Sequence, residues 1–389
     1  MKKILALTTI RSDYDLMSPL FKLLHQDSEI DLKLLVGGAH LSKSFGYSVE
    51  QIRKDNFEVL LEVESLLDAS SKSSRIKSFS ILLQNSIDAI ASFDPDLILY
   101  AGDREDVMLG AMIGGYLEIP TLHFYGGDHV NDGHIDNPIR HAAAKLSTAH
   151  FVMLEEHKKR LIAMGELEKR IFVTGNISLD KFANFTPFSL SKIKEEFHID
   201  TGFDSFALLI FHPTLQDEEK PEVIFENILK ALKDKHINTF VSYPNVDPGN
   251  FEIRKVIDAY SNDNNFIFYK NLERDMFLSI YKHSQFIIGN SSSGVCEAAT
   301  IPIPAINIGT RQTGRYAEEN VFFIDPSTDT IDNTLSKVIE PSFKQSIKKM
   351  TNPYGSGNSA QKAYTIIKET DFMHMLLKKE DPLKKDTHE

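Results

Sequence analysis

Cysteine is nearly absent: Cys296 is the only one in 389 residues. An intramolecular disulfide is therefore impossible, and no cysteine-based zinc cage can form, so a reducing, cytoplasmic setting is expected. Positive charge is also in short supply. Lys plus Arg number 43 against 55 Asp plus Glu, a formal net charge of −12. A nucleic-acid binder needs a positive footprint for the phosphates, so that class is excluded as an expectation. A small anion held by a few local arginines is not. Long apolar runs are missing, and nothing approaches the ~18 residues of a membrane span. The apolar run after Met1-Lys2-Lys3 stops at Thr8. That is too short for the core of a signal peptide and reads instead as a buried first strand. A Walker A phosphate loop is absent, because no Gly-Lys-Ser/Thr occurs. No internal repeat or low-complexity tract interrupts the chain.

What is present is a regular alternation. The length allows two domains at roughly 100–200 residues each, and a hydrophobic content of 42% is enough to fill their cores. Short, continuous apolar runs lie at residues 4–7, 32–36, 97–100, 151–154, 171–173, 207–211, 239–241, 266–268, 286–288 and 305–308. Continuous rather than alternating apolarity predicts strands covered on both faces, hence parallel sheets. Helical patterns lie between them, as at 106–117, 139–146 and 221–232. The expected fold class is α/β, with two Rossmann-like doubly wound domains facing across a cleft. The expected domains are residues 1–180 and 190–357, joined by a seam near 175–195. A helix in 358–378 is expected to pack back on the first domain, and 379–389 to fray.

In open α/β sheets ligands bind beyond the carboxyl ends of the strands, so the residues just after each run carry the chemistry. After the first comes Arg11, in a turn at a helix start that suits an anion. After the run at 97–100 come Gly102, Asp103 and Arg104. Asp103 is either a cleft carboxylate or the N-cap of the next helix, and position excludes neither. Asp128 and Asp136 flank a glycine-containing loop. Paired carboxylates in a dry pocket can be driven to different pKa values and divide acid and base work. His129, Asp132 and His134 match no metal-binding spacing. Asn137 and Pro138 read as an N-cap and a first helical position.

In the second half, His212-Pro213 ends a strand and Asn245 follows another. The run Gly289-Asn290-Ser291-Ser292-Ser293-Gly294 then leads to Glu297. Small side chains let backbone N–H groups and hydroxyls approach phosphate oxygens at a helix start. Glu297, expected in the first helical turn, could accept from ribose hydroxyls. Arg311 and Arg315 follow the next strand in a glycine-flanked loop, where the guanidinium fork suits a diphosphate.

Together these segments resemble the hydrolysing UDP-N-acetylglucosamine 2-epimerases of sialic and related nonulosonic acid synthesis. The carrying segments are Arg11-Ser12-Asp13-Tyr14, Gly102-Asp103-Arg104, Gly126-Gly127-Asp128, Ile135-Asp136-Asn137, Ile139-Arg140-His141 with Lys145, and Phe211-His212-Pro213. Tyr243-Pro244-Asn245-Val246-Asp247, the serine turn through Glu297, and the stretch from Asn307 to Arg315 complete the set. The resemblance implies a glycosyltransferase-B-like fold, release of UDP, a free sugar inverted at carbon-2, and no redox cofactor or metal. It implies UDP held by Arg11, Arg104, His212, Asn245, Ser291, Ser292, Ser293, Gly294, Glu297, Arg311 and Arg315. Asp103, Asp128, Asp136 and His212 are implied as the catalytic set. A homodimer or homotetramer is implied, with no nucleic-acid or membrane partner. Relatives usually carry Glu where this chain has Asp128, and the loop to Asp136 is longer here. These departures either compensate each other or mark a different sugar, such as UDP-N,N′-diacetylbacillosamine. A UDP-sugar glycosyltransferase of the same fold is the alternative.

Overall fold

The computed structural model describes residues 1–381 apart from 70, 184 and 215. The chain divides into two compact units. One comprises Met1–His129, His134–Ala183 and Tyr354–Glu389; the other comprises Val130–Gly133 and Asn184–Pro353.

The first unit holds a seven-stranded sheet of β1 (Lys2–Thr8), β2 (Ile30–Gly37), β3 (Glu58–Val63), β4 (Leu97–Ala101), β5 (Thr121–Phe124), β6 (Ala149–Val152) and β7 (Ile171–Val173). All neighbours pair in parallel, in the order β3-β2-β1-β4-β5-β6-β7. The second unit repeats the pattern with β8 (Ala207–Ile210), β9 (Thr239–Ser242), β10 (Phe266–Tyr269), β11 (Ile287–Gly289), β12 (Ala305–Ile308) and β13 (Val321–Ile324). Their order is β10-β9-β8-β11-β12-β13, again parallel. Both sheets are therefore doubly wound α/β sheets. Each reverses its strand order once, between β1 and β4 in the first and between β8 and β11 in the second. Such a switch point opens a crevice at the carboxyl ends of two strands, because their connections leave in opposite directions.

The apolar runs become strands because both faces are covered. Every residue of β5, β6, β8 and β12 is buried. In the second unit Leu209, Phe211, Val241, Ile288, Ile306 and Ile308 pack against Ile224, Ile228 and Leu232 of the helix Pro221–Asp234. In the first unit Leu5, Leu7, Ile98 and Tyr100 meet Val107, Ala111 and Ile113 of the helix Glu105–Tyr116. Three strands go beyond the sequence reading. β3 and β13 are edge strands with partly exposed residues. β5 carries His123 in its middle, which broke the apolar run.

The C-terminal helix, Ser359–Glu369, belongs to the first unit. Asp180 caps it by accepting from the backbone N–H groups of Ser359 and Ala360 at 2.9 and 2.8 Å. Beyond it, Lys378 donates to Glu166 at 2.6 Å and Arg170 pairs with Glu380 at 2.7 Å. The start of the tail expected to fray is thus tied down; residues 382–389 lie outside the described residues. Glu166 is the hub, bound also by Lys145 at 2.7 Å and buried His150 at 3.0 Å. Burial raises its pKa, but His150, Lys378 and Lys145 more than offset this and hold it down at about 2. Ionised Glu166 therefore stabilises the fold above the ordinary carboxylate value of 4.5, and this contribution is lost as pH falls toward 2. Glu166→Gln is expected to cost roughly 1.5–3 kcal/mol at neutral pH, by weakening the charge-assisted hydrogen bonds from Lys378 and Lys145. Chemical denaturation of variant and parent should show that gap narrowing in acid.

Candidate functional site

At the switch point of the first sheet, β4 ends and the chain turns at Gly102, whose φ of +98° favours glycine. His123, fully buried on β5, donates from Nε2 to the Gly102 carbonyl at 2.9 Å and pins that turn. Burial pushes the His123 pKa down to about 3, so the ring is neutral, and the bond to Gly102 places its proton on Nε2. Asp103 follows. It does not cap the next helix: Arg104 occupies the N-cap position. Instead the Asp103 carboxylate accepts from Arg140 Nη2.

Arg140 is the centre of this cluster. Its side chain is 2% exposed, and its Nη2 also lies 3.9 Å from Asp128. Nη1 donates to the Asp128 carbonyl at 2.8 Å and to Asn137 Oδ1 at 3.2 Å. One guanidinium thus joins two of the three carboxylates expected to act. His157 approaches the other Asp128 oxygen at 3.4 Å. The residues differ in access: the side chains of Asp103 and Asp128 are 28% and 4% exposed.

Asp136 is held by a neighbouring set. It pairs with Arg75 at 2.9 Å and with His134 at 3.2 Å, and its side chain is 20% exposed. Arg75 also binds Glu105. Burial pushes the Asp136 pKa up, but the His134 hydrogen bond and the charges of Arg104 and Arg75 outweigh it and hold Asp136 well below the usual range. Asp136 is itself the first residue of the helix Asp136–Leu146. Asn137 and Pro138 therefore lie inside the first turn rather than at its cap, a correction to the sequence reading. Asn137 is buried because Arg140, one turn on, needs its oxygen. His141, beside Arg140, is pushed down to about 4 by burial and by Arg140, and its Nε2 lies 3.4 Å from His129 Nδ1.

Arg11 opens the helix Arg11–Gln26 on the β1 side of the same switch point. Its Nε donates to Asp15 at 3.3 Å, one turn on. Arg104, at the N-cap across the switch point, is close enough to lower the pKa of Asp136.

The second sheet presents a different chemistry at its own switch point. Asn290, fully buried after β11, clamps the end of β8. Its Oδ1 accepts from the His212 N–H and its Nδ2 donates to the His212 carbonyl, each at 2.8 Å. Its own carbonyl accepts from Arg311 at 3.1 Å and Gln312 at 3.0 Å. Asn290 therefore holds the histidine turn and the arginine loop together. Gly289 before it cannot be replaced without moving β8, because an added Cβ would sit 2.0 Å from the Ile210 carbonyl oxygen.

His212 Nδ1 accepts from the Asn245 N–H at 3.3 Å, so the neutral ring carries its proton on Nε2. The Asn245 side chain is engaged locally with Asp247 at 2.6 Å. Ser291 caps the short helix Ser292–Cys296 by accepting from the Ser293 N–H at 3.3 Å. Gly294 is buried inside that helix, and Ser292 is exposed at its first position. Glu297 is not in the first turn, as the sequence reading had it. The helix lasts five residues, and Glu297 is the buried residue that closes it. Arg315 Nη1 donates to Gln312 Oε1. Asp217 accepts from the N–H and hydroxyl of Thr310 at 2.8 Å, fixing the base of the arginine loop.

Sequence reasoning missed Arg140 and Asn290 as site residues, although both stand within segments it singled out. A buried arginine in a helix whose other inward residues are small was the available signal. Among the described residues no group of three or more His, Cys, Asp and Glu could hold a metal ion, and no helix is long and apolar enough to cross a membrane.

The sequence profile of the UDP-N-acetylglucosamine 2-epimerase family matches residues 22–368. The UDP-N,N′-diacetylbacillosamine 2-epimerase (hydrolyzing) of Legionella pneumophila is 33% identical over 97% of this chain and 98% of its own length. The GDP/UDP-N,N′-diacetylbacillosamine 2-epimerase (hydrolyzing) of Campylobacter jejuni is 31% identical over 88% and 89%. The UDP-N-acetylglucosamine 2-epimerase of Neisseria meningitidis serogroup B is 28% identical over 87% of each. A crystal structure of UDP-GlcNAc 2-epimerase from Neisseria meningitidis bound to UDP-GlcNAc shares the fold with a TM-score of 0.78, at 18% identity over 95% of this chain and all of that one.

Proposed function

Because the chain belongs to the UDP-N-acetylglucosamine 2-epimerase family, we propose that it is a hydrolysing 2-epimerase, releasing UDP and a free 2-acetamido sugar inverted at carbon-2. The observation that carries this reading is the division of chemistry between two switch points. Accessible carboxylates stand at one, and a small-residue turn with an arginine loop stands at the other. The hydrolysing type is favoured by the two relatives above 30% identity, whose names also favour UDP-N,N′-diacetylbacillosamine over UDP-N-acetylglucosamine as the substrate.

In this reading the serine turn, His212, Asn245, Glu297, Arg311, Arg315, Arg11 and Arg104 are the residues that hold UDP. A carboxylate takes the carbon-2 proton, the C–H electrons form the carbon-1–carbon-2 double bond, and the bond from carbon-1 to the diphosphate breaks. Cations and oriented N–H groups stabilise the departing charge. Water then adds across the glycal, its oxygen to carbon-1 and a proton to carbon-2 on the other face. Asp103, the most exposed of the three carboxylates, takes and returns the proton, and Asp136, held ionised by Arg75, directs the water. Buried Asp128 shares Arg140 with Asp103 and sets its position. Neutral His212, with its proton on Nε2, donates toward the diphosphate. The low cysteine content and a nucleotide-sugar substrate suit a cytoplasmic enzyme.

Incubation with the two UDP-sugars in deuterium oxide tests this. UDP and an inverted free sugar labelled at carbon-2 are expected, faster with the diacetamido sugar. Release of UDP only on addition of an acceptor would establish a glycosyltransferase instead. Arg311→Ala is expected to raise the Kd for UDP roughly 10- to 100-fold by calorimetry, the loss of one or two charge-assisted hydrogen bonds. An unchanged Kd would remove the arginine loop from the nucleotide site.

A further inference from the structure

The switch point of the first sheet holds a second acidic group that the proposed chemistry does not use. We propose that Asp106 is a positioning residue that carries a proton and, through Thr9, locks the turn that presents Arg11. The inference rests on the nucleotide-binding role proposed for Arg11.

The geometry is a row of three oxygens across the switch point. Thr9 Oγ1, in the turn after β1, lies 2.6 Å from Asp106 Oδ2 in the first turn of the helix Glu105–Tyr116. The same hydroxyl lies 3.2 Å from Asp13 Oδ2. A hydroxyl has one proton to donate. With both carboxyl groups ionised, one of these contacts would bring lone pairs together. Asp13 is an acceptor on every side. It takes the Thr9 N–H at 2.9 Å, the Ile10 N–H at 3.3 Å and the Thr8 hydroxyl, with His40 Nε2 3.8 Å away. The arrangement that satisfies every atom has Thr9 donating to Asp13 while Asp106 donates its own proton to Thr9. The relay then ties the β4 side of the switch point to both residues preceding Arg11.

The surroundings favour the neutral acid. Burial and the charges of Glu105 and Asp13 push Asp106 up to about 7, while the Thr9 hydrogen bond and Arg104 pull the other way. Glu105 is paired with Arg75, which also serves Asp136. Above its pKa, Asp106 would face Asp13 and Glu105 as a third negative charge, with only one hydroxyl proton between it and Asp13. The turn loosens and Arg11 loses its fixed position.

Calorimetric titration of the full chain with UDP, about one pH unit below and about two above this value, tests the lock. The parent is expected to lose roughly 2- to 10-fold in affinity at the higher pH, the worth of one hydrogen bond. In Asp106→Asn the amide donates to Thr9 at either pH, so the loss should disappear. The change in charge of UDP itself is common to both proteins and cancels. Equal pH dependence in parent and variant overturns the inference. UDP that binds neither protein at either pH overturns the nucleotide reading instead. Infrared spectroscopy of the parent needs no variant to fold: a protonated carboxylic acid C=O band present at the lower pH should vanish at the higher one. Its absence at the lower pH also refutes the proton on Asp106.

Discussion

Replacing Asp103 by Asn is expected to lower kcat by roughly 10²- to 10⁴-fold while leaving the Kd for UDP nearly unchanged, the scale of a lost acid or base. The amide keeps the shape of the side chain and its carbonyl oxygen can still accept from Arg140, so the turn pinned by His123 should survive. What is lost is the capacity to take or give a proton. Single-turnover kinetics with the deuterium label separate this from a binding defect. Near-normal exchange at carbon-2 with slow release of free sugar would assign Asp103 to hydration rather than elimination. Loss of both exchange and UDP release would place it at the first step. A variant that fails only in UDP binding would contradict the division of labour between the two units.

Arg140→Met should be the most damaging change to the site's architecture. Met has similar length and no charge, so packing is largely kept. The buried Asp128 carboxylate, however, loses its guanidinium neighbour, and Asp103 loses its hydrogen bond. Removing one partner of a buried pair costs roughly 3–5 kcal/mol. At roughly 2–4 °C per kcal/mol for a domain of this size, the first unit should melt about 10 °C lower. Arg140→Lys keeps the charge but not the fork, and should fall between. The double variant Asp128→Asn with Arg140→Met should recover part of the stability, since it removes both members of the pair, but not the activity. Thermal melts and kcat on the same four proteins check this. Equal melting points for parent and Arg140→Met would show that Arg140 does not hold the cluster.

The apolar runs were legible because strands buried on both faces require them. β8 and β12, buried throughout, lie within the runs at 207–211 and 305–308. β3 was not legible, because the exposed Glu58 and Glu62 break its apolar run at the edge of the sheet; β13 is itself an apolar run, Val321–Ile324, outside those that the sequence analysis names. β5 was hidden by His123, whose polarity is satisfied by a carbonyl 21 residues earlier in the chain. Glu297 lies past the first turn because the helix begins at Ser292, five residues earlier, and ends at Cys296.

Composition and order alone determined which groups stand just beyond the strands: arginines, small hydroxyls, a histidine and two aspartates, with Asp136 at the helix start that follows. Those positions follow from local rules of burial and turning, which act over a few residues. Which groups share a partner was decided by the tertiary structure. Arg140 reaches Asp103 across 37 positions, Arg75 reaches Asp136 across 61, and Thr9 reaches Asp106 across 97. Such bonds exist only once parallel strands bring distant turns to one edge, since the hydrogen bonds that orient and charge these groups are short-ranged in space and indifferent to separation along the chain.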